Sequence, residues 1–198
     1  MLAALGAAVF GAAAQAQDFT PAIVYDVGGR FDKSFNQSAY EGVLRFEQAR
    51  GVRVEGVELR PGDDRATVVG GLAAGQADFI IVVGFSFGDA LAAAAAAQPD
   101  DRFVSIDSVV DGPNVASFVF KENEGSYLAG VAAGLASQRG AIGFVGGLEI
   151  PLIEKFLAGF AQGARSVDPD IRVAKAYMGG SDAPFSDPFG GALRAMAM

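Results

Sequence analysis

Short apolar runs alternate with amphipathic helical patterns along the first two thirds of the chain. The apolar runs predict five strands between residues 19 and 120, at 23–27, 52–57, 79–83, 103–106 and 115–120. The segments between them carry apolar residues at helical spacing. Strands that alternate with helices of about ten to fifteen residues indicate parallel sheets joined by right-handed crossovers. The pattern therefore predicts an α/β fold.

A second series of elements follows residue 121 and contains fewer strands. Strands are expected at 142–145 and 171–177, helices at 122–138 and 151–166, and a last helix that opens at Ser186, Asp187 and Pro188. Two parallel strands rarely form a stable sheet by themselves. We therefore predict an N-terminal α/β lobe at 19–120 and a partial second lobe at 121–198, and we expect the chain to be truncated at its C-terminal end.

The N-terminal segment, residues 1–16, consists almost wholly of small apolar residues and ends in Ala14-Gln15-Ala16. This pattern is typical of a signal peptide with its cleavage site, although no Lys or Arg precedes Arg30 to form a basic leader region. The segment is shorter than the roughly 20 residues of a spanning helix. Since the chain has no cysteine to carry a lipid, we expect a soluble, exported, periplasmic protein without a lipid anchor.

Composition excludes several classes of function. With 23 acidic and 15 basic residues the formal charge is −8, and no basic stripe marks a nucleic-acid binder. The absence of both histidine and cysteine removes the usual general base, metal ligands and nucleophile pairs. We therefore predict no catalytic site, no metal and no cofactor. The glutamates Glu122 and Glu124 are interpreted as a solvated helix face or as caps.

The loop after the first strand contains the most concentrated polar and aromatic chemistry, in Asp32, Ser34, Phe35 and Asn36. In an open α/β sheet the loops that follow strands lie at the edge where ligands bind. Each residue also has a structural interpretation. Ser34 and Asn36 are typical helix caps, Asp32 is a common turn residue, and Phe35 is suited to pack onto the helix as a hydrophobic staple.

Two later loops add residues to the same edge. Phe85 and Ser86 follow the third strand, and Asp107 follows the fourth. Ser86 is also a plausible helix cap and Asp107 a turn former. Because carboxyl ends of parallel strands meet at one edge, the three loops are expected to converge on one crevice that binds a small molecule.

Residues 32–42, DKSFNQSAYEG, resemble the signature of the basic membrane protein family, which includes the purine nucleoside receptor A proteins of nucleoside ABC importers. Similarity extends over about residues 20–195, including Ile106-Asp107 and the segments 114–117, 122–130, 143–147, 156–160 and 185–188.

The resemblance implies a type I periplasmic-binding-protein fold with two Rossmann-like lobes, of which the second is incomplete here. It also implies that a purine nucleoside binds between the lobes and that the closed form docks on an ABC permease of the inner membrane. Phe35 would stack on the base, Asn36 and Asp107 would contact the base, and Asp32 would accept sugar hydroxyls. We expect a monomer that carries about half of the family's site. The alternatives are a nucleoside-sensing regulatory module and, disfavoured by the missing histidine, a nucleoside-processing enzyme.

Overall fold

A five-stranded parallel sheet organises the first part of the computed structural model, which describes residues 19–180, 185 and 187–198. The strand order is β2-β1-β3-β4-β5, and every neighbouring pair is parallel. The strands are β1 (Pro21–Tyr25), β2 (Glu55–Glu58), β3 (Phe79–Val83), β4 (Arg102–Ile106) and β5 (Val115–Phe118). The predicted α/β class with parallel sheets is confirmed.

Helices cover the two faces of this sheet unequally. Helix α1 (Phe35–Arg50) lies on one face, and α2 (Arg65–Ala73) and α3 (Gly88–Ala97) lie on the other. Side chains alternate between faces along a strand, so Val24 and Val82 join the core under α2 and α3 whereas Tyr25 and Val83 pack beneath α1. The face under α1 has the smaller core.

The second part of the fold contains a two-stranded parallel sheet of β6 (Ala141–Gly146) and β7 (Arg172–Tyr177). Helices α4 (Glu122–Ala136) and α5 (Pro151–Val167) pack against each other, and α6 (Pro188–Met196) follows. At the start of α6, the Asp187 carboxylate caps the helix by accepting a bond from the Gly190 amide.

The contact between α4 and α5 is made by glycines. Gly130 and Gly134 of α4 are buried, as are Gly159 and Gly163 of α5. The large apolar residues of α4 do not make this contact, because Leu128 and Leu135 are 69% and 71% exposed. The small residues allow the backbones to approach so closely that the large side chains are directed elsewhere.

Several predicted element boundaries also shift. Strand β1 ends at Tyr25 instead of residue 27 because the chain turns at Gly28 and Gly29, both of which have positive φ. Helix α3 starts at Gly88, and a 3₁₀ turn at Phe85–Phe87 occupies the position where Ser86 was expected to cap it. The predicted signal segment and Ser186 lie outside the described residues.

Across residues 19–180, 185 and 187–198, no helix combines the length and apolar character needed to cross a membrane.

Candidate functional site

A cavity of about 580 Å³ lies at the carboxyl edge of the five-stranded sheet. Its walls come from α1 and the ends of β3 and β4 on one side, and from α4 and α5 on the other. The lining includes Phe35, Ile106, Phe120, Glu122, Ser126 and Phe156. Its volume is within the range of small-molecule sites, and its mixture of apolar walls and a few polar groups is typical of them.

The Asp32 carboxylate caps α1. Its two oxygens accept hydrogen bonds from the backbone amides of Ser34 at 2.8 Å, Asn36 at 2.9 Å and Gln37 at 3.0 Å. Ser34 occupies the cap position of the backbone, but its side chain makes no capping bond and is exposed. Since a carboxylate has about four lone-pair sites, little capacity remains on Asp32 for the sugar hydroxyl that the resemblance implies.

Phe35 and Asn36 open α1 and differ in exposure. The Phe35 ring lines the cavity and is 37% exposed. Asn36 is 3% exposed, and its Nδ2 donates to the Asp26 carbonyl oxygen at 3.1 Å. The other amide atom, Asn36 Oδ1, is buried and lacks a hydrogen-bond partner within the described residues. Asn36 therefore presents a fixed acceptor beside the cavity-lining ring.

Asp26, which the sequence interpretation did not single out, joins three segments of the site. Its Oδ1 accepts from the Val27 amide at 2.8 Å and from the Arg65 guanidinium, and its Oδ2 accepts from Ser86 Oγ at 2.8 Å. The same guanidinium lies 5.4 Å from the centre of the Phe87 ring. Asp26 follows β1 directly, just as Asp107 follows β4, and this shared position could have indicated it.

Asp107 follows β4 in a left-handed backbone conformation, with φ at 69°. Its amide donates to the Phe118 carbonyl oxygen at 2.9 Å, while Oδ1 is buried and makes no hydrogen bond to the described part of the chain. Burial raises the pKa of the Asp107 carboxyl, the nearby Glu122 raises it further, and Lys155 partly opposes both. Asp107 thus follows a strand of the first sheet, whereas Glu122 opens helix α4.

The burial of Glu122 contradicts the interpretation that this residue lies on a solvated helix face. Its side chain is 5% exposed, and Lys155 Nζ lies 3.6 Å from Oε2, which is too long for a hydrogen bond. Neither oxygen has a hydrogen-bond partner among residues 19–180, 185 and 187–198. Glu124, in contrast, is 63% exposed and pairs with Lys121 at 2.8 Å. Residues that lie two positions apart on a helix point in nearly opposite directions, so Glu122 turns into the cavity and Glu124 turns away from it.

The predicted site residues thus have different surroundings. Ser86 donates a hydrogen bond to the Asp26 carboxylate, the side chain of Asp107 is buried without a hydrogen-bond partner for Oδ1 among the described residues, and Phe35 lines the cavity. Phe85 packs edge-to-face on Phe185, with ring centres 6.2 Å apart. In the part of the chain that the structure describes, no cluster of three or more candidate metal ligands occurs.

Residues 19–191 match the family model described as "ABC transporter substrate-binding protein PnrA-like". The chain belongs to this family. The resemblance seen in residues 32–42 is therefore confirmed over nearly the whole described chain.

Relatives and a solved structure agree with this assignment. The chain is 38% identical over 186 residues to the ABC transporter nucleoside-binding protein BmpA of Lactococcus lactis, covering 91% of this chain and 52% of the relative. It is 36% identical over 167 residues to the CD4+ T-cell-stimulating antigen of Listeria monocytogenes, covering 81% and 47%. A crystal structure of an ABC transporter solute-binding protein from Aeropyrum pernix superimposes with a TM-score of 0.80 at 29% identity, covering 91% of this chain and 52% of that one. The chain thus spans about half the length of these proteins.

Proposed function

We propose that this chain binds a purine nucleoside in the cavity between the carboxyl edge of its first sheet and helices α4 and α5, and presents it to an ABC permease of the inner membrane. The match of residues 19–191 to the PnrA-like family carries this proposal. The relative in Lactococcus lactis is named a nucleoside-binding protein, which supports the nucleoside as the ligand. The alternative, a nucleoside-sensing module, has no observation of its own in its favour.

The cavity offers the groups that such a ligand needs. The half-exposed Phe35 ring provides a stacking surface, and stacking of a base on an aromatic ring contributes about 1–3 kcal/mol. Asn36 and Asp107 directly follow the cavity-lining residues Phe35 and Ile106 and provide buried acceptors for donors on the base. Binding and release are the whole of the proposed activity, and the ligand leaves chemically unchanged.

Isothermal titration with inosine, adenosine and guanosine tests the proposal, with cytidine as the comparison ligand. The variant Phe35→Ala should weaken purine binding about tenfold or more, because it removes the stacking surface. The matched control is Phe31→Ala, since Phe31 is 69% exposed and packs on Tyr40. The proposal is contradicted if none of the three purine nucleosides gives a binding heat.

We also propose export to the periplasm as a monomer, based on the signal-like residues 1–16. N-terminal sequencing of the chain from a periplasmic extract should begin at Gln17, and its elution volume should correspond to one copy. An intact Met1 on chain recovered from the cytosol would contradict export.

A further inference from the structure

Among the described residues, the buried side-chain polar atoms without a hydrogen-bond partner are almost all acceptors, and they lie in or beside the residues that line the cavity. They are Asn36 Oδ1, Asp107 Oδ1 and the two carboxylate oxygens of Glu122. The remaining one, Arg65 Nε, belongs to a guanidinium that already pairs with Asp26. Leaving buried acceptors without donors is unfavourable. A ligand that fills this cavity is therefore expected to bring several N–H or O–H donors.

Glu122 is placed to receive one of these donors. It lines the cavity with a side chain that is 5% exposed. Lys155 lies near one oxygen but outside hydrogen-bond distance, and its own side chain is 52% exposed. The lysine thus offsets part of the buried charge while the oxygens keep their bonding capacity.

Asp107 supplies a second carboxylate next to the cavity. It directly follows Ile106, the last residue of β4, which lines the cavity on one side, whereas Glu122 opens α4 on the other side. The Asp107 amide donates to the Phe118 carbonyl oxygen at 2.9 Å, only four residues before Glu122, so both carboxylates lie near the connection between β5 and α4. Two adjacent buried acceptors match a ligand edge that carries two adjacent donors.

We propose that Glu122 is a specificity-determining residue that accepts a hydrogen bond from the 2-amino group of a guanine ring, while Asp107 accepts the neighbouring N1–H. This inference rests on the proposed nucleoside function. Adenine presents an unprotonated N1, an acceptor that would face a carboxylate. Hypoxanthine has the N1–H but no 2-amino group. A site built to hydrogen-bond a donor discriminates against an analogue that lacks it, because its buried acceptor is then left unpaired.

Isothermal titration of the unaltered chain with guanosine, inosine, adenosine and 1-methylguanosine tests the pattern of hydrogen-bond donors that is expected on the ligand. Guanosine should bind about tenfold or more tightly than inosine, since a hydrogen bond to a charged group contributes roughly that factor. Adenosine and 1-methylguanosine should both bind more weakly than guanosine. Equal affinity for guanosine and inosine would overturn the role of Glu122 and leave the nucleoside function standing. Failure of all four to bind would overturn the nucleoside function itself.

The variant Glu122→Met removes the acceptor with little change in side-chain volume and also removes a buried charge. We expect it to bring the ratio of guanosine to inosine affinity close to one, with inosine changed by less than about threefold, because only guanosine has a donor for this residue. The matched control is Glu124→Met, on the same helix turn, and it should keep the ratio of the unaltered chain.

An equal loss of affinity for guanosine and inosine in Glu122→Met would contradict direct contact and indicate a positioning role. Circular dichroism melting establishes whether the variant is folded. If it is not, the four-nucleoside series on the unaltered chain still decides the proposal.

Discussion

Single carboxylates hold the loops at the carboxyl edge of the first sheet in place. Asp26 connects the end of β1 to Arg65 at the start of α2 and to Ser86 in the turn after β3. Asp32 acts within a single loop, where its carboxylate accepts hydrogen bonds from three backbone amides at the start of α1. Hydrogen bonds to charged groups contribute about 1.5–3 kcal/mol each, so these residues are expected to affect stability as well as binding.

Asp26→Asn should lower the free energy of unfolding by about 2 kcal/mol, because it weakens the bond to Arg65 and leaves that guanidinium partly unpaired. Urea unfolding followed by circular dichroism measures the change. Asp111→Asn, at an exposed position, is the matched control and should change stability by less than about 0.5 kcal/mol. An unchanged urea midpoint in Asp26→Asn would contradict the linking role.

The raised pKa of Asp107 predicts a pH dependence of stability. The folded chain holds its proton on Asp107 to higher pH than the unfolded chain does, mainly because of burial. Stability from this group is therefore full below the unfolded pKa near 3.9 and falls as pH rises through the raised folded pKa.

Asp107→Asn should remove the loss of stability with rising pH and raise the melting temperature at pH 7 relative to the unaltered chain. Asparagine also tolerates the left-handed backbone at this position. Thermal melts from pH 4 to pH 8 measure both profiles. A variant whose profile parallels that of the unaltered chain would show that Asp107 does not titrate differently in the folded state.

At the scale of elements, the packing of α4 on α5 depends on the absence of side chains. A Cβ atom added at Gly163 would overlap the Tyr127 carbonyl oxygen, and one at Gly159 would overlap that of Asn123. Both obstacles are backbone atoms, which cannot rotate away. The two helices would have to separate to accept even one methyl group.

Gly163→Ala is accordingly expected to lower the free energy of unfolding by about 1–3 kcal/mol or more through overpacking. Gly125→Ala, also helical but with no atom near its added Cβ, should be neutral or stabilise by up to about 1 kcal/mol through helix propensity. Chemical denaturation of both variants tests the contrast. Equal effects at the two positions would contradict close helix contact.

The elements predicted best from sequence are those whose signals are local. Strand β3 occupies the predicted residues 79–83 because its apolar run ends at Gly84, whose φ of 130° turns the chain. The burial of Glu122 could not be predicted, since it depends on where α4 begins relative to a cavity formed by α1 and α5. The packing of α4 through its glycines could not be predicted either, because a search for large apolar residues ignores glycine.

At the scale of the molecule, the two sheets differ in how much of their backbone is paired with neighbouring strands. β3 lies inside the five-stranded sheet, with Val82 and Val83 fully buried. β6 and β7 form a sheet of only two strands, and each has an unpaired edge among the described residues.

A groove of about 380 Å³ between α1 and the first sheet is lined by apolar residues that include Phe19, Phe46 and Phe79.

Hydrogen exchange should therefore be fastest in β6 and β7 and slowest in β1 and β3, because a two-stranded sheet is marginal and opens at lower free energy. Mass spectrometry of exchanged peptides measures this order. The amides of α5 serve as the internal comparison, since they share the second part of the fold but are bonded within a helix. Equal protection of β3 and β6 would contradict the prediction.

The short link between the sheets has a consequence for the order of events in binding. β5 ends at Phe118 and α4 begins at Glu122, so only residues 119–121 join the two parts of the chain. Glu122 directly follows this connection, whereas Phe156 lies farther along the chain in α5. If the two parts of the chain rotate about residues 119–121 when the proposed ligand binds, Glu122 is displaced less than Phe156, and we expect its contact with the ligand to form first.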